Sequence, residues 1–183
     1  MRRVMRLTGT AAILAALAAP LHGAGDGDVF AFIPDGGRTL LERMREHGLP
    51  DALAAAIAQG QRDAAGFSEL LAGDAGEAVL DAWQADTLAH YLAANAPLDP
   101  AGDLPRDGRD MTLGLCQSCH IVTVVVTQAR TREAWLGTLH KPSHIEVPMT
   151  EAERGALADY LVINGGIPID LVPPELRAGG ASY

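Results

Sequence analysis

The sequence predicts an all-α protein made of two small helical domains. Of its 183 residues, 48% are hydrophobic but only 4% are aromatic, so the apolar content consists largely of small, helix-forming residues such as alanine. Apolar residues also recur at spacings of three and four in several segments. Capping residues, glycines and prolines mark where these segments begin and end.

The first 25 residues have the features of an export signal. Three arginines among the first six residues precede an apolar run over residues 7–21, and small residues follow through Gly25. The run falls short of the ~20 apolar residues that a membrane-spanning helix requires, although an uncleaved anchor is the alternative interpretation. We therefore expect residues 1–25 to be removed as a signal peptide, leaving a periplasmic protein without a membrane span.

The chain is acidic, which bears on its partners. The formal net charge is −9 at pH 7, and loss of the three arginines in the signal would bring it to about −12. Such a charge argues against nucleic acid as a partner and favours docking, through charge complementarity, to a basic patch on another protein. Solubility alone explains the charge equally well.

Residues 26–97 are predicted to form the first helical domain. It begins with an irregular segment over 26–35, which is rich in Gly, Asp and Pro. Two amphipathic helices follow, at 38–47 and 50–59. Each of them ends close to a glycine, which is typical of a helix C-terminus.

The longest helix of this domain is predicted near its end. Asp74 is placed to cap it, Glu77 is the capping-box partner, and apolar residues follow at helical spacing until Asn95. Prolines and a glycine are frequent just beyond, as in a linker. We assign residues 98–107 to this linker.

The second domain is predicted to begin with a helix at about Gly108. The later β-branched run over 122–127 is interpreted as extended chain lining a pocket, because an isolated strand has no partner here. A short helix at 131–139 and a proline-containing loop at 140–149 complete the middle of the domain.

The last predicted helix has the clearest start signal in the chain. Thr150 is placed as its cap, with Glu153 three residues later as the capping-box partner, and the helix ends at Asn164 before two glycines. The second domain therefore spans residues 108–166. Residues 167–183, with three prolines, are predicted to form an extended C-terminal tail.

The most specific motif in the chain is Cys116-Gln117-Ser118-Cys119-His120. Cys-x-x-Cys-His attaches haem because each thiol adds across a vinyl group while the adjacent imidazole ligates the iron. A thioredoxin-type redox pair would need a βαβ context, and a zinc site would need further ligand clusters. The motif therefore predicts one covalent haem c, attached through Cys116 and Cys119, with His120 as the proximal iron ligand.

With this motif, residues 106–166 resemble a small class I c-type cytochrome. In that family a glycine-bearing helix that ends in the haem motif crosses a C-terminal helix carrying an aromatic–Leu pair. Gly108 lies eight residues before Cys116, and Tyr160-Leu161 matches the pair. The resemblance implies a small c-type cytochrome helical fold around one covalent haem, and electron transfer to or from a partner oxidoreductase without enzymatic activity of its own.

The sequence offers several candidates for the ligand on the other face of the iron. The family usually supplies a methionine from the loop before the last helix, and Met149 stands in that loop, but only 11 residues before Tyr160. His144, 16 residues before Tyr160, matches the family spacing better and is the favoured distal ligand. His140, 20 residues before Tyr160, and an open site are the remaining alternatives.

An open distal site would favour a different function, namely a haem enzyme or a small-molecule sensor. Such a protein needs an acid–base group over a vacant iron position, whereas this loop offers several ligands. Candidates for hydrogen bonds to the haem propionates lie further along the chain, at Arg130, Arg132 and Trp135.

The two predicted domains share a weak internal similarity. Residues 86–95 and 155–164 are identical at five of ten positions. Two explanations remain open: the first domain is a degenerate, haemless copy of the second, or two alanine-rich helices are alike by composition. A haemless first domain would be suited to docking the protein within a larger complex.

Overall fold

A computed structural model describes residues 28–60, 62–72, 79–99 and 101–177. All regular secondary structure in these ranges is helical, which confirms the prediction of an all-α protein. No helix in this part of the chain is long and apolar enough to cross a membrane. The predicted signal peptide lies outside the described residues.

The described ranges contain nine α-helices and three short 3-10 turns. The α-helices are α1 (Gly37–His47), α2 (Asp51–Gln59), α3 (Ala64–Leu71), α4 (Ala82–Asn95), α5 (Gly108–Gly114), α6 (Thr123–Val126), α7 (Arg132–Leu139), α8 (Pro142–Ile145) and α9 (Glu151–Asn164). The 3-10 turns are Cys116–Ser118, Ile169–Leu171 and Pro174–Leu176.

Four of the predicted helices are present with nearly the predicted limits, as α1, α2, α7 and α9. The capping box of α9 is also confirmed. The Thr150 hydroxyl accepts a hydrogen bond from the Glu153 backbone N–H at 3.2 Å, and the Glu153 carboxylate accepts one from the Thr150 N–H at 2.7 Å. Two N–H groups that have no partner within the helix are satisfied in this way.

The predicted start of the long early helix is wrong. Helix α4 begins at Ala82, and the two residues before its cap are not helical. The Asp81 carboxylate accepts a hydrogen bond from the Gln84 N–H at 2.8 Å, and the Gln84 side chain accepts one from the Asp81 N–H at 3.1 Å. Two capping patterns therefore follow one another in the sequence, and Asp81 starts this helix. Asp74 and Glu77 lie outside the described residues.

The prediction of extended chain over 122–127 is also wrong. The segment forms the single helical turn α6, in which the Thr127 N–H and hydroxyl both donate to the Thr123 carbonyl, at 3.1 and 2.7 Å. Val125 and Val126 are buried by this turn, while Val124 is 42% exposed. Burial of two valines against neighbouring elements here outweighs the β-propensity of the run.

Helix α3 was not predicted from the sequence. It begins where the Asp63 carboxylate accepts a hydrogen bond from the Gly66 N–H at 2.9 Å, and it buries Phe67 and Leu71 completely or almost so. Together with α1, α2 and α4 it encloses an apolar core in the first half of the chain. The fully buried side chains of this core include Leu40, Leu41, Ile57, Phe67, Leu88 and Leu92.

Two helix crossings, one in each half of the chain, have the same construction. In the second half, a Cβ built on Gly108 of α5 would overlap the Cβ and Cγ of Tyr160 on α9. In the first half, a Cβ built on Gly37 of α1 would overlap the Cβ and Cγ of Tyr91 on α4. Each glycine is required because the helix backbone passes directly against a tyrosine.

The same two tyrosines connect the halves reciprocally. The Tyr91 hydroxyl donates to the carbonyl of Pro105, three residues before Gly108, at 2.8 Å. The Tyr160 hydroxyl donates to the carbonyl of Pro34, three residues before Gly37, at 2.7 Å. The two crossings are therefore joined by equivalent tyrosine hydrogen bonds.

Helices α4 and α9 form the central contact between the halves. The buried Asn164 of α9 accepts a hydrogen bond from the Trp83 indole N–H at 2.9 Å and donates one to the Thr87 hydroxyl at 3.1 Å. After Asn164, the tail turns back onto the second half. The Ile167 N–H donates to the Val126 carbonyl at 3.0 Å, and Val172 is buried.

Candidate functional site

Helix α5 delivers the Cys-x-x-Cys-His motif to the surface of a cavity. The Asp107 carboxylate caps the helix by accepting from the Asp110 N–H at 2.9 Å, and it also accepts from the Arg38 N–H of α1 at 2.9 Å. After α5 the chain forms the 3-10 turn Cys116–Ser118, and the His120 N–H donates to the Cys116 carbonyl at 3.0 Å. The start of α5 is therefore fixed by both halves, and the motif follows as a compact turn.

The cavity has a volume of about 350 Å³, within the range of about 300–1,000 Å³ that is typical of small-molecule and cofactor sites. Its lining is mainly apolar, with contributions from α6, α7, α8 and α9 and from the segments between them. Five residues that the sequence singles out all line it: Cys116, Cys119, His120, His144 and Met149. The structure therefore brings the motif and two of the candidate distal ligands to one place.

His120 and His144 are neighbours across this cavity. Their ring centroids lie 6.0 Å apart, and the ring planes are inclined by 28°. The Ser143 hydroxyl lies 3.2 Å from the Nδ1 atom of His144. Among the described residues, the His144 Nε2 atom has no hydrogen-bond partner, so this nitrogen is available to a ligand.

Met149 lines the same cavity and packs, partly buried, against the core of the second half. His140 lies outside the cavity lining. Its Nε2 atom is 3.0 Å from a carboxylate oxygen of Glu151, and its Nδ1 atom is 2.7 Å from the Leu136 carbonyl. The hydrogen bond to Glu151, with that to Leu136, raises the pKa of His140. Both of its nitrogens are therefore already engaged.

The two thiols are free and differ in exposure. Cys116 is partly buried and Cys119 is exposed, and no disulfide joins them. Burial raises the pKa of the Cys116 thiol to about 11. Reactive dithiols depend on a lowered pKa that stabilises the thiolate, and burial shifts the Cys116 thiol in the opposite direction.

A metal site made of protein side chains alone is not supported either. Within the described ranges, no three His, Cys, Asp or Glu side chains converge as metal ligands would. A structural zinc site normally uses four such ligands. The residues at the cavity thus provide at most two imidazoles, two thiols and a thioether.

Arg130 and Trp135 provide hydrogen-bond donors at the cavity. The Arg130 guanidinium lies 5.0 Å from the centroid of the Trp135 ring and donates to the Thr138 hydroxyl at 2.9 Å. Trp135 is only 4% exposed, yet its indole N–H has no acceptor among the described residues. Leaving a buried donor unpaired costs about 1–3 kcal/mol, so this N–H suits an acceptor on a bound group. Arg132, the third candidate, lies outside the cavity lining and pairs with Asp159 at 2.6 Å.

Sequence reasoning missed one buried residue beside the site, Arg154 of α9. Its guanidinium donates to four backbone carbonyls in the segment that carries His144. A signal was present in the sequence: Arg154 stands three and seven residues before Leu157 and Leu161, on the apolar face of an amphipathic helix.

Comparisons of the chain with protein-family models, with curated proteins and with solved structures found no match.

Proposed function

We propose that this protein is an exported mono-haem c-type cytochrome that transfers electrons to or from a partner oxidoreductase. One observation carries the proposal: Cys116, Cys119, His120 and His144 line a single, largely apolar cavity. The attachment motif and His144 belong to separate segments of the chain, since His144 follows His120 by 24 residues. They nevertheless meet where one planar group could contact all of them.

The spacing of the two imidazoles suits ligation of one metal. Two imidazoles that hold one metal must be close neighbours, because a ligating nitrogen lies about 2 Å from its metal. The ring centroids of His120 and His144 lie 6.0 Å apart, so these two side chains would hold the iron together. This proximity supports His144 over Met149 as the distal ligand.

The remaining lining has features that fit the rest of a haem. Apolar residues such as Val125, Leu139 and Leu161 would exclude water from the ring. The Trp135 N–H has no acceptor in the described part of the chain and, together with the Arg130 guanidinium, would donate to the propionates. When bound, the haem supplies reversible one-electron chemistry, while these side chains hold and orient it.

We further propose that the first half is a haemless copy of the second. The equivalent glycine–tyrosine crossings and the reciprocal tyrosine hydrogen bonds support duplication more strongly than the sequence similarity alone. In the first half, side chains such as Leu41, Ile57 and Phe67 form a solid core. With no cysteine or haem motif, this half would serve as a scaffold or as a docking module for a redox partner.

The alternative of a haem enzyme or sensor with an open distal site is less well supported. It would require a vacant position over the iron, whereas both His144 and Met149 line the cavity. Carbon monoxide separates the two functions. An electron carrier with two protein ligands resists carbon monoxide in the reduced state, and an open site binds it at once.

The proposal is tested by exporting the full chain in a host that attaches haem covalently. We expect one haem per chain by intact mass, a low-spin spectrum in both oxidation states, and no covalent haem in the Cys116→Ser, Cys119→Ser double variant. His144→Ala should lose the low-spin spectrum, whereas Met149→Ala and the control His140→Ala should keep it. An exported, folded wild-type protein without covalent haem would overturn the proposal.

A further inference from the structure

We infer that Arg154 is a positioning residue that holds the segment around α8 and thereby keeps His144 at the cavity. The inference rests on the proposed function, because it gives Arg154 a role in the ligation of the haem iron by His144. It assigns this role to a residue that need not touch the haem itself.

The Arg154 side chain is almost fully buried, with 3% of its surface exposed. One of its terminal nitrogens donates to the carbonyls of Leu139 and His144, at 2.7 and 3.2 Å. The other donates to the carbonyls of Ile145 and Val147, at 3.0 and 3.1 Å. One guanidinium therefore binds the chain before, within and after α8.

Helix α8 depends on such outside support. A helix of four residues is far too short to be stable alone, and the carbonyls at its C-terminal end have no partners within the helix. Arg154 satisfies several of these carbonyls from α9, a fourteen-residue helix in the core of the second half. The position of α8 is thus tied to a rigid element.

His144 is held at two points by these contacts. Its carbonyl accepts from Arg154, and its Nδ1 atom lies 3.2 Å from the Ser143 hydroxyl. The first contact fixes the backbone and the second restricts the ring. Together they leave Nε2 as the nitrogen that a metal could bind.

The chemistry of Arg154 is difficult to replace. It forms no ion pair with a carboxylate in the described part of the chain, so its buried charge depends on the backbone carbonyls. A lysine could carry the charge, but its single ammonium group cannot reach carbonyls on both sides of α8 at once. Arg154→Lys should therefore fail to restore the position of His144.

The experiment compares Arg154→Gln and Arg154→Lys with the wild type, all as haem-loaded full chains. Each net hydrogen bond is worth roughly two- to tenfold in an equilibrium constant. Loss of several of these hydrogen bonds should raise the fraction of protein in which His144 is detached by at least about tenfold. The rate of carbon monoxide binding to the reduced protein should rise by the same factor. Added imidazole should restore the low-spin spectrum of both variants. Arg132→Gln, an exposed arginine outside the cavity, is the matched control and should behave as wild type.

The possible failures are distinguishable. A wild-type protein without covalent haem overturns the proposed function. If the wild type carries haem and resists carbon monoxide, and both Arg154 variants resist it equally, the function stands and the positioning role is wrong. If Arg154→Gln cannot be purified in a folded form, Arg154→Lys decides the question. The inference is overturned if Arg154→Lys resists carbon monoxide as the wild type does. It is supported if Arg154→Lys loses the low-spin spectrum and added imidazole restores it.

Discussion

The backbone of Gly108 lies directly against the Cβ and Cγ atoms of Tyr160, leaving no room for a side chain at this position. This contact sets the distance between α5, which leads into the Cys-x-x-Cys-His motif, and α9, which carries Arg154. Any widening of the crossing would move the motif relative to the cavity wall. Small changes at Gly108 should therefore affect both stability and the site.

Gly108→Ala should lower the free energy of unfolding by about 1–3 kcal/mol, because overpacking forces the two helices apart. Urea denaturation of the full chain measures this effect. Gly137→Ala is the matched control, since the exposed Gly137 in α7 has open space around its Cα atom. That variant should gain up to about 1 kcal/mol from the better helix propensity of alanine. If Gly108→Ala and Gly137→Ala raised the free energy of unfolding equally, helices α5 and α9 would not be in close contact at Gly108.

Replacing Asn164 with alanine should weaken the contact between the halves. Its amide accepts from Trp83 and exchanges hydrogen bonds with Thr87, and removing it leaves buried polar groups unpaired. We expect a loss of about 1–3 kcal/mol in the free energy of unfolding. Asn95 occupies the equivalent position in the first half, but within the described residues its amide donates only to the Tyr91 carbonyl. Asn95→Ala should cost clearly less, and a larger loss there would contradict this account of the interface.

The sequence predicts local features of this protein well. The Thr150 capping box depends on residues three positions apart, and the contact between Gly108 and Tyr160 was expected from the family resemblance. The start of α4 was missed because two capping patterns follow one another and only packing decides between them. The roles of Asn164 and Arg154 depend on contacts with residues on other elements. Sequence periodicity shows that such positions are unusual, but it does not show which residues they contact.

The His140–Glu151 pair predicts a pH dependence of stability. Hydrogen bonds to Glu151 and to the Leu136 carbonyl raise the folded-state pKa of His140 above the ordinary value of 6.5. The stabilisation is therefore fully present below about pH 6.5 and is lost as the pH rises through the higher folded-state pKa. The difference in unfolding free energy between wild type and His140→Gln should be constant below about pH 6.5 and should shrink as the pH rises above it. In a Glu151→Gln background, most of this pH dependence should be absent. If the pH dependence of the unfolding free energy is unchanged in that background, it comes from another group.

The indole N–H of Trp135 predicts opposite effects in the haem-free and haem-loaded proteins. In the haem-free Cys116→Ser, Cys119→Ser variant, Trp135→Phe removes a buried donor that has no described acceptor, so the free energy of unfolding should stay the same or rise. If the loaded protein holds haem as proposed, the same change should cost about 1.5–3 kcal/mol there, because it would remove a hydrogen bond to a charged propionate.

Trp83→Phe is the control for this comparison, because the Trp83 N–H already donates to Asn164 at 2.9 Å. Trp83→Phe should therefore destabilise the haem-free and the loaded protein by similar amounts, as measured by denaturant titration. If Trp135→Phe also has the same effect in both forms, its N–H does not contact the bound group. The propionates would then have to find their donors elsewhere, with Arg130 as the first residue to test.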